Sequence, residues 1–105
     1  MSQFYAYHNP NPASCSQYPY LLDIQSDLLS ELRTRVVIPL TPAKLGTAIG
    51  LTRLNPSLLI DGQPFTLLTQ QMAGIDRKQL GAQACDLSAY RTEIMAALDF
   101  IVSGI

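Results

Sequence analysis

Tryptophan is absent from this 105-residue sequence, histidine occurs once and cysteine twice. Each shortage removes a class of chemistry. A zinc site draws several ligands from Cys, His and carboxylates, and neither cysteine has the C-x-x-C spacing that marks one. No metal or cofactor is therefore expected. His8 stands after a strand-like run and before a loop, and reads as a structural or surface residue. A nucleophilic pair of His8 with Cys15 or Cys85 has no support from spacing. The start, "MSQFYAYHN", has neither a basic stretch nor an apolar core of a signal peptide. A cytoplasmic address and two reduced, unpaired cysteines are the expectation. No apolar run approaches the ~20 residues that cross a membrane as a helix.

Charge is scarce too. Only 14% of residues are charged, 7 basic against 8 acidic. That balance lacks the basic excess of a protein whose affinity rests on phosphate neutralisation. With 48% hydrophobic residues the chain is not a disordered one. Its length suits one domain, 1–105. Low charge and a mean hydropathy of +0.14 point to a surface partly committed to other protein chains.

The first 75 residues read mostly as strands, with a barrel or strongly bent sheet expected over roughly residues 1–85. "QFYAYHN" and "YPYLLDI" are aromatic-rich runs separated by a Pro/Ser/Asn loop, and "RVVIPL" is a short buried-looking run that Pro39 is expected to end or bulge. "TPAKL" offers Thr41 as a cap and Pro42 at a first helical position, predicting a helical turn. Asp61-Gly62 predicts a tight hairpin between Ser57–Ile60 and Phe65–Thr69.

From Asp86 the period changes to that of a helix, expected over roughly residues 87–103. Leu87, Tyr90, Ile94, Leu98, Ile101 and Ile105 trace one inward stripe, and Asp86 or Ser88 can cap its start. Phe100 falls on another flank, beside Glu93 and Ala96. Ala96 and Ala97 keep that flank low, so Phe100 marks a possible second interface.

Other candidate chemistry is weak. Asp23 and Asp27 bracket "DIQSD"; within one strand they would stand about 13 Å apart, and Asp, Gln and Ser together favour a hydrogen-bonded strand end or turn. "KLGTAIG" lacks the Lys-Ser/Thr ending of a phosphate loop. Arg33, Arg35, Arg53 and Lys44 read as scattered solvated charges. No catalytic residue is expected.

Several stretches in order resemble one family. They are Gln3-Phe4 with Tyr7, "DIQSDLL" at 23–29, "VIPL" at 37–40, "LNPSLLI" at 54–60, "LTQQMAGI" at 68–75, "DLS" at 86–88 and Gly104-Ile105. The set resembles CcdB, the toxin of the CcdA–CcdB toxin–antitoxin pair, along essentially the whole chain. The resemblance implies a mainly β fold with a C-terminal α-helix, an SH3-like barrel of the CcdB/MazF type, assembled as a symmetric homodimer. It implies a poison that inserts between the arms of the DNA gyrase A subunits and holds gyrase on cleaved DNA. It also implies a CcdA-like antitoxin that wraps the toxin, removes it from gyrase and joins it in repressing their operon, so that DNA is met only through the antitoxin complex.

The gyrase-binding residues carried over are Asp99, Val102, Ser103, Gly104 and Ile105, with Ser26, Leu28 and Leu29 beside them. One departure stands out. The best-known family member has tryptophan immediately before Gly-Ile, where this chain has Ser103. Serine supplies neither the stacking face nor the buried area of an indole. Weaker gyrase binding, or contacts redistributed to Phe100, Val102 and Leu28, is the expectation. Two alternatives remain open: a MazF-like endoribonuclease, since the barrel is shared, and a non-toxic degenerate relative kept as a binding or regulatory module.

Overall fold

The computed structural model describes residues 2–43 and 53–104. Its clearest local feature is the turn at Asp61-Gly62. Both residues have positive φ, 52° and 76°, as a two-residue type I′ hairpin requires. The turn joins β4 (Ser57–Ile60) to β5 (Gln63–Leu67), with Ile60 opposite Gln63. The other strands are β1 (Tyr5–His8), β2 (Tyr20–Asp23), β3 (Thr34–Pro42), β6 (Ala73–Asp76) and β7 (Gln83–Asp86). All pair antiparallel in one sheet of order β4-β5-β3-β2-β1-β7, with β6 attached to β3. Among the described residues β4 and β7 do not pair, so the sheet is a half-barrel. The Tyr90 hydroxyl, just after β7, accepts a hydrogen bond from the Leu59 N–H of β4 at 3.2 Å.

Two expectations about β3 need correction. Pro39 neither ends nor bulges the strand, which runs on to Pro42. The reason is a change of partner. Thr34 to Val37 pair with β6, whereas Leu40 to Pro42 pair with β5. Pro39 sits at the junction, where its missing N–H costs no ladder bond and its C=O accepts from the Leu68 N–H at 3.0 Å. Thr41 and Pro42 are strand residues opposite Thr66 and Phe65, not a helix start; β5 pairing overrides the local capping signal. Lys44 and Leu45 of "TPAKL", and with them "KLGTAIG", lie outside the described residues.

The helix α1 spans Arg91–Ser103 and is preceded by a 3-10 turn over Ser88–Tyr90. The helix thus opens later than expected and neither Asp86 nor Ser88 caps it: Tyr90 holds the N-cap position without a side-chain bond, while Asp86 accepts the Ser88 N–H at 2.8 Å ahead of the 3-10 turn. The inward side of α1 carries Ile94 and Ala97, both fully buried, with Leu98 and Tyr90 partly covered. They close over a core of Phe4, Ala6, Leu22, Ile38, Leu40, Leu58, Ile60, Phe65, Leu67 and Leu87. Phe4 has φ 67°, rare for a bulky residue. Its backbone is pinned there: the N–H donates to Asp23 C=O at 2.6 Å and its C=O accepts from Leu87 N–H at 2.8 Å.

Alternation along the strands sends other residues to the opposite face of the sheet. There Tyr7, Val37 and Leu80 form a smaller cluster with Tyr5, Leu21 and Ile75. On the Arg35–Val37 side of β3 lies the largest departure from the sequence reading. Arg35 is not a solvated charge: its side chain and that of Asp23 are both 0% exposed. The Arg35 Nε donates to Asp23 Oδ2 at 2.9 Å, and Nη2 reaches the same oxygen. Asp23 Oδ1 accepts the Gln25 N–H at 3.0 Å. Burial pushes the Asp23 carboxyl up from its ordinary value, while Arg35 and the Gln25 N–H pull against that shift.

A buried ion pair stripped of one member leaves a charge without compensation. Arg35→Ala is therefore expected to cost about 3–5 kcal/mol, read as a lower urea midpoint. Replacing both partners, Arg35→Met with Asp23→Leu, is expected to recover most of that loss; a double variant as unstable as the single would contradict this account. A second expectation concerns pH. The Ser88 backbone and side-chain hydrogen bonds hold the Asp86 carboxyl below its ordinary value. Because the folded value is the lower one, this carboxylate stabilises the fold above the ordinary Asp range and the effect fades as pH falls through the folded value. The stability gap between the wild type and Asp86→Ala should shrink on acidification.

Candidate surface at the 3-10 turn and the last helical turn

The "DIQSD" segment forms the hydrogen-bonded strand end its composition predicts. Asp23 ends β2, and Asp27 opens a 3-10 turn over Asp27–Leu29 that Ser26 caps through Oγ, accepting the Leu28 N–H at 3.2 Å. The two carboxylates do different work. Asp23 is buried against Arg35, while the exposed Asp27 accepts the Gln3 N–H at 2.9 Å.

Gln25 links the buried pair to the turn. Its Nε2 donates to Leu29 C=O at 2.9 Å and its Oε1 accepts the Val36 N–H at 3.1 Å. A turn fixed from beneath in this way holds its apolar side chains outward. Leu28 is 94% exposed, and Leu29 and Leu32 are about half exposed. One bare leucine is ordinary on a protein surface. Three within five positions, on a backbone pinned by a buried network, make an apolar patch that the rest of the chain leaves uncovered. Sequence reasoning missed Leu32, whose only signal is its place three residues after Leu29.

A second bare stretch is the end of α1. Exposure rises along the last turn, from Ile101 at 36% to Val102 at 85%, and Ser103 and Gly104 are exposed as well. Ile101 thus leaves the inward stripe predicted for it: the residues packed on the core end at Ala97 and Leu98, one turn earlier. Gly104 adopts φ 73° and donates its N–H to Phe100 C=O at 2.8 Å, a left-handed cap that suits glycine. The Ser103 hydroxyl turns back on its own helix and donates to Asp99 C=O at 2.7 Å. It therefore does not reach outward as an indole would. Ile105 lies outside the described residues.

Phe100 keeps to its predicted flank and is half buried, with the Arg53 guanidinium 5.5 Å from its ring centroid. Ala96 is exposed on that flank, but Ala97 is fully buried, so the low surface is narrower than the helical wheel implies. Arg53, Ala96, Asp99, Val102 and Ser103 line a shallow depression there.

The remaining chemistry-bearing residues are dispersed. Exposed His8 meets Tyr20 in a tilted ring contact, centroids 5.3 Å apart and planes inclined at 44°. Cys15 and Cys85 are both free thiols, and burial pushes the Cys85 thiol up, away from the reactive thiolate. Arg33 pairs with Asp76 at 3.6 Å, so Arg33, Arg35 and Arg53 are engaged with three separate groups. Among the described residues no hydrogen bond or ion pair joins the 3-10 turn to the end of α1.

Comparison with known proteins agrees with this architecture. A crystal structure described as that of an Mtb toxin superposes with a TM-score of 0.65, covering 95% of this chain and 99% of the other at 17% identity. That likeness is one of fold: a mainly β half-barrel sheet with a C-terminal helix. The model of the family described as CcdB protein matches residues 3–104, from the residue bound to Asp27 to the glycine that caps α1, and the chain belongs to the CcdB family.

Proposed function

We propose that this chain is the toxin of a toxin–antitoxin pair, which as a homodimer binds the DNA gyrase A subunit and traps gyrase on cleaved DNA. A CcdA-like antitoxin neutralises it and joins it in repression. Family membership over residues 3–104 supports the toxin assignment. The observation that carries the mode of action is the bare apolar surface: Leu28, 94% exposed on a turn pinned by Ser26 and Gln25, and Val102, 85% exposed on the last turn of α1.

Such a surface acts by binding, without a covalent step. A two-fold dimer presents each patch twice, so one partner symmetric about the same axis meets both copies. Leu28 and Leu29 supply apolar area, the Ser26 cap and Gln25 fix their direction, and Gly104 lets a partner backbone approach the helix end. Asp99 and Val102 lie one turn before Ser103 and Gly104. With Ser103 bonded to its own helix, Leu28 and Val102 take the anchoring load that a tryptophan would otherwise carry.

Titration of the purified chain against the gyrase A subunit, with a supercoiled-DNA cleavage assay, tests this reading. The expected result is a saturable complex and accumulated cleaved DNA, with no cleavage of mixed RNA. RNA cleavage with no gyrase complex would replace it with the endoribonuclease reading. Leu28→Ser and Val102→Ser are expected to keep stability within about 0.5 kcal/mol, as exposed positions do. Each should weaken gyrase binding at least about tenfold, since burying such a side chain contributes about 1.5–3 kcal/mol. Ser103→Trp is expected to tighten binding by about tenfold or more, because it restores a large stacking face. Equal affinity of all three variants and the wild type would remove this surface from the proposal.

A further inference from the structure

Seven residues of the chain are basic, and the fold treats them unequally. Arg35 is neutralised by Asp23 in the interior. Arg53 and Arg91 hold their guanidinium groups over the rings of Phe100 and Phe4, 5.5 and 5.2 Å from the centroids. Lys44 lies outside the described residues. The remaining three, Arg33, Arg77 and Lys78, meet at one corner of the sheet. Arg33 is far from the other two in sequence, and the pairing of β3 with β6 brings them together. Thr34 stands opposite Asp76, and the Arg77 N–H donates to Arg33 C=O at 2.9 Å.

The backbone of this corner is fixed while its charge is left open. Asp76 Oδ1 accepts the Lys78 N–H at 2.9 Å, and the Leu80 N–H donates to Arg77 C=O at 3.2 Å, closing a 3-10 turn over Arg77–Gln79. The carboxylate of Asp76 pairs with Arg33 alone, at 3.6 Å, and the Arg33 side chain is 81% exposed. A solvated pair of that kind holds little free energy. Arg77 donates through Nη1 to a neutral group, the Ser30 C=O, at 3.4 Å. Among the described residues the Lys78 ammonium has no ion-pair partner, and Glu31 pairs with none of the three cations. In a chain of net charge −1, three exposed cations thus share one carboxylate.

We infer that this corner contacts the phosphate backbone of duplex DNA, directly and not through a second protein. Phosphates ask for fixed cations and for N–H and O–H donors, and they need no apolar complement. Arginine forks match phosphate oxygens in pairs. Thr34 and Gln79, both exposed beside the cations, offer a hydroxyl and an amide of the kind that also bind phosphate. None of the three cations lines the larger clefts among the described residues, so a small anion finds no enclosure there. A duplex carries about one charge per 1.7 Å of its axis and meets open cations at several phosphates. Three contacts make weak, sequence-independent binding, which adds hold to a complex already on DNA. That suits a chain without an overall basic excess, and it does not depend on gyrase being the partner.

Anisotropy of a short fluorescein-labelled DNA duplex, titrated with the purified chain between about 50 and 200 mM salt, tests this contact. Log affinity should fall linearly with log salt, with a slope of about −2.7 per chain for three phosphate contacts. The triple variant Arg33→Gln, Arg77→Gln, Lys78→Gln should keep the wild-type circular dichroism and bind at least about tenfold more weakly at the lowest salt. Arg91→Gln removes the same charge away from the corner and should change affinity less than about twofold. Asp76→Asn keeps an acceptor for the Lys78 N–H but removes the competing charge, and should tighten binding by up to about fivefold. No binding at the lowest salt, a folded triple variant that binds like the wild type, or an equal loss in Arg91→Gln would each overturn the inference. Displacement of the duplex by poly-glutamate at equal charge concentration would also overturn it, marking a surface for acidic protein instead. If the triple variant does not fold, the salt slope and Asp76→Asn decide: a slope near zero, or weaker binding by Asp76→Asn, rejects the contact. Absence of gyrase binding would count against the proposed function and leave this contact standing.

Discussion

A charge pair with no access to water holds the end of β2 and the 3-10 turn after it in place. Asp23 and Arg35 stand on neighbouring strands, and neither could be buried without the other. Their worth lies less in net stability than in direction. The second carboxylate oxygen of Asp23 holds the Gln25 backbone, and the Gln25 side chain holds both the next strand and the turn carrying Leu28 and Leu29. An apolar side chain pushed into water on a floppy loop would collapse onto the nearest greasy surface. Here the loop has a polar foundation, so the leucines stay presented.

How much of this was legible in the residues follows from how local each signal is. The Asp61-Gly62 hairpin needs only its own backbone preferences, and it forms where composition places it. The helix declares itself by its period, although periodicity says nothing about where the sheet beneath it stops, and so Ile101 was placed inward. Pro39 was misread because its tolerance depends on two strands arriving from far along the chain to share β3. Thr41-Pro42 was misread for the same reason. Strands β6 and β7 are short, hold Gly74 and Gln83, and show no alternation to find. Arg35 looked like any other arginine, since its burial follows from Asp23 twelve positions earlier and from nothing beside it.

The candidate surface divides the same way. Its position was carried by resemblance to a family, residue by residue, while its character is this chain's own. The serine before the terminal glycine is spent on its helix carbonyl. The exposed leucines extend to Leu32, a position that resemblance did not supply.

Bare leucine and valine on a chain of net charge −1 and pI near 5.6 also bear on how the molecule survives in a crowded solution. Little like-charge repulsion keeps copies apart, and near pH 5.6 almost none remains. Covering Leu28 and Val102 would therefore also favour colloidal stability, and precipitation of the isolated chain is expected to be greatest near pH 5.6.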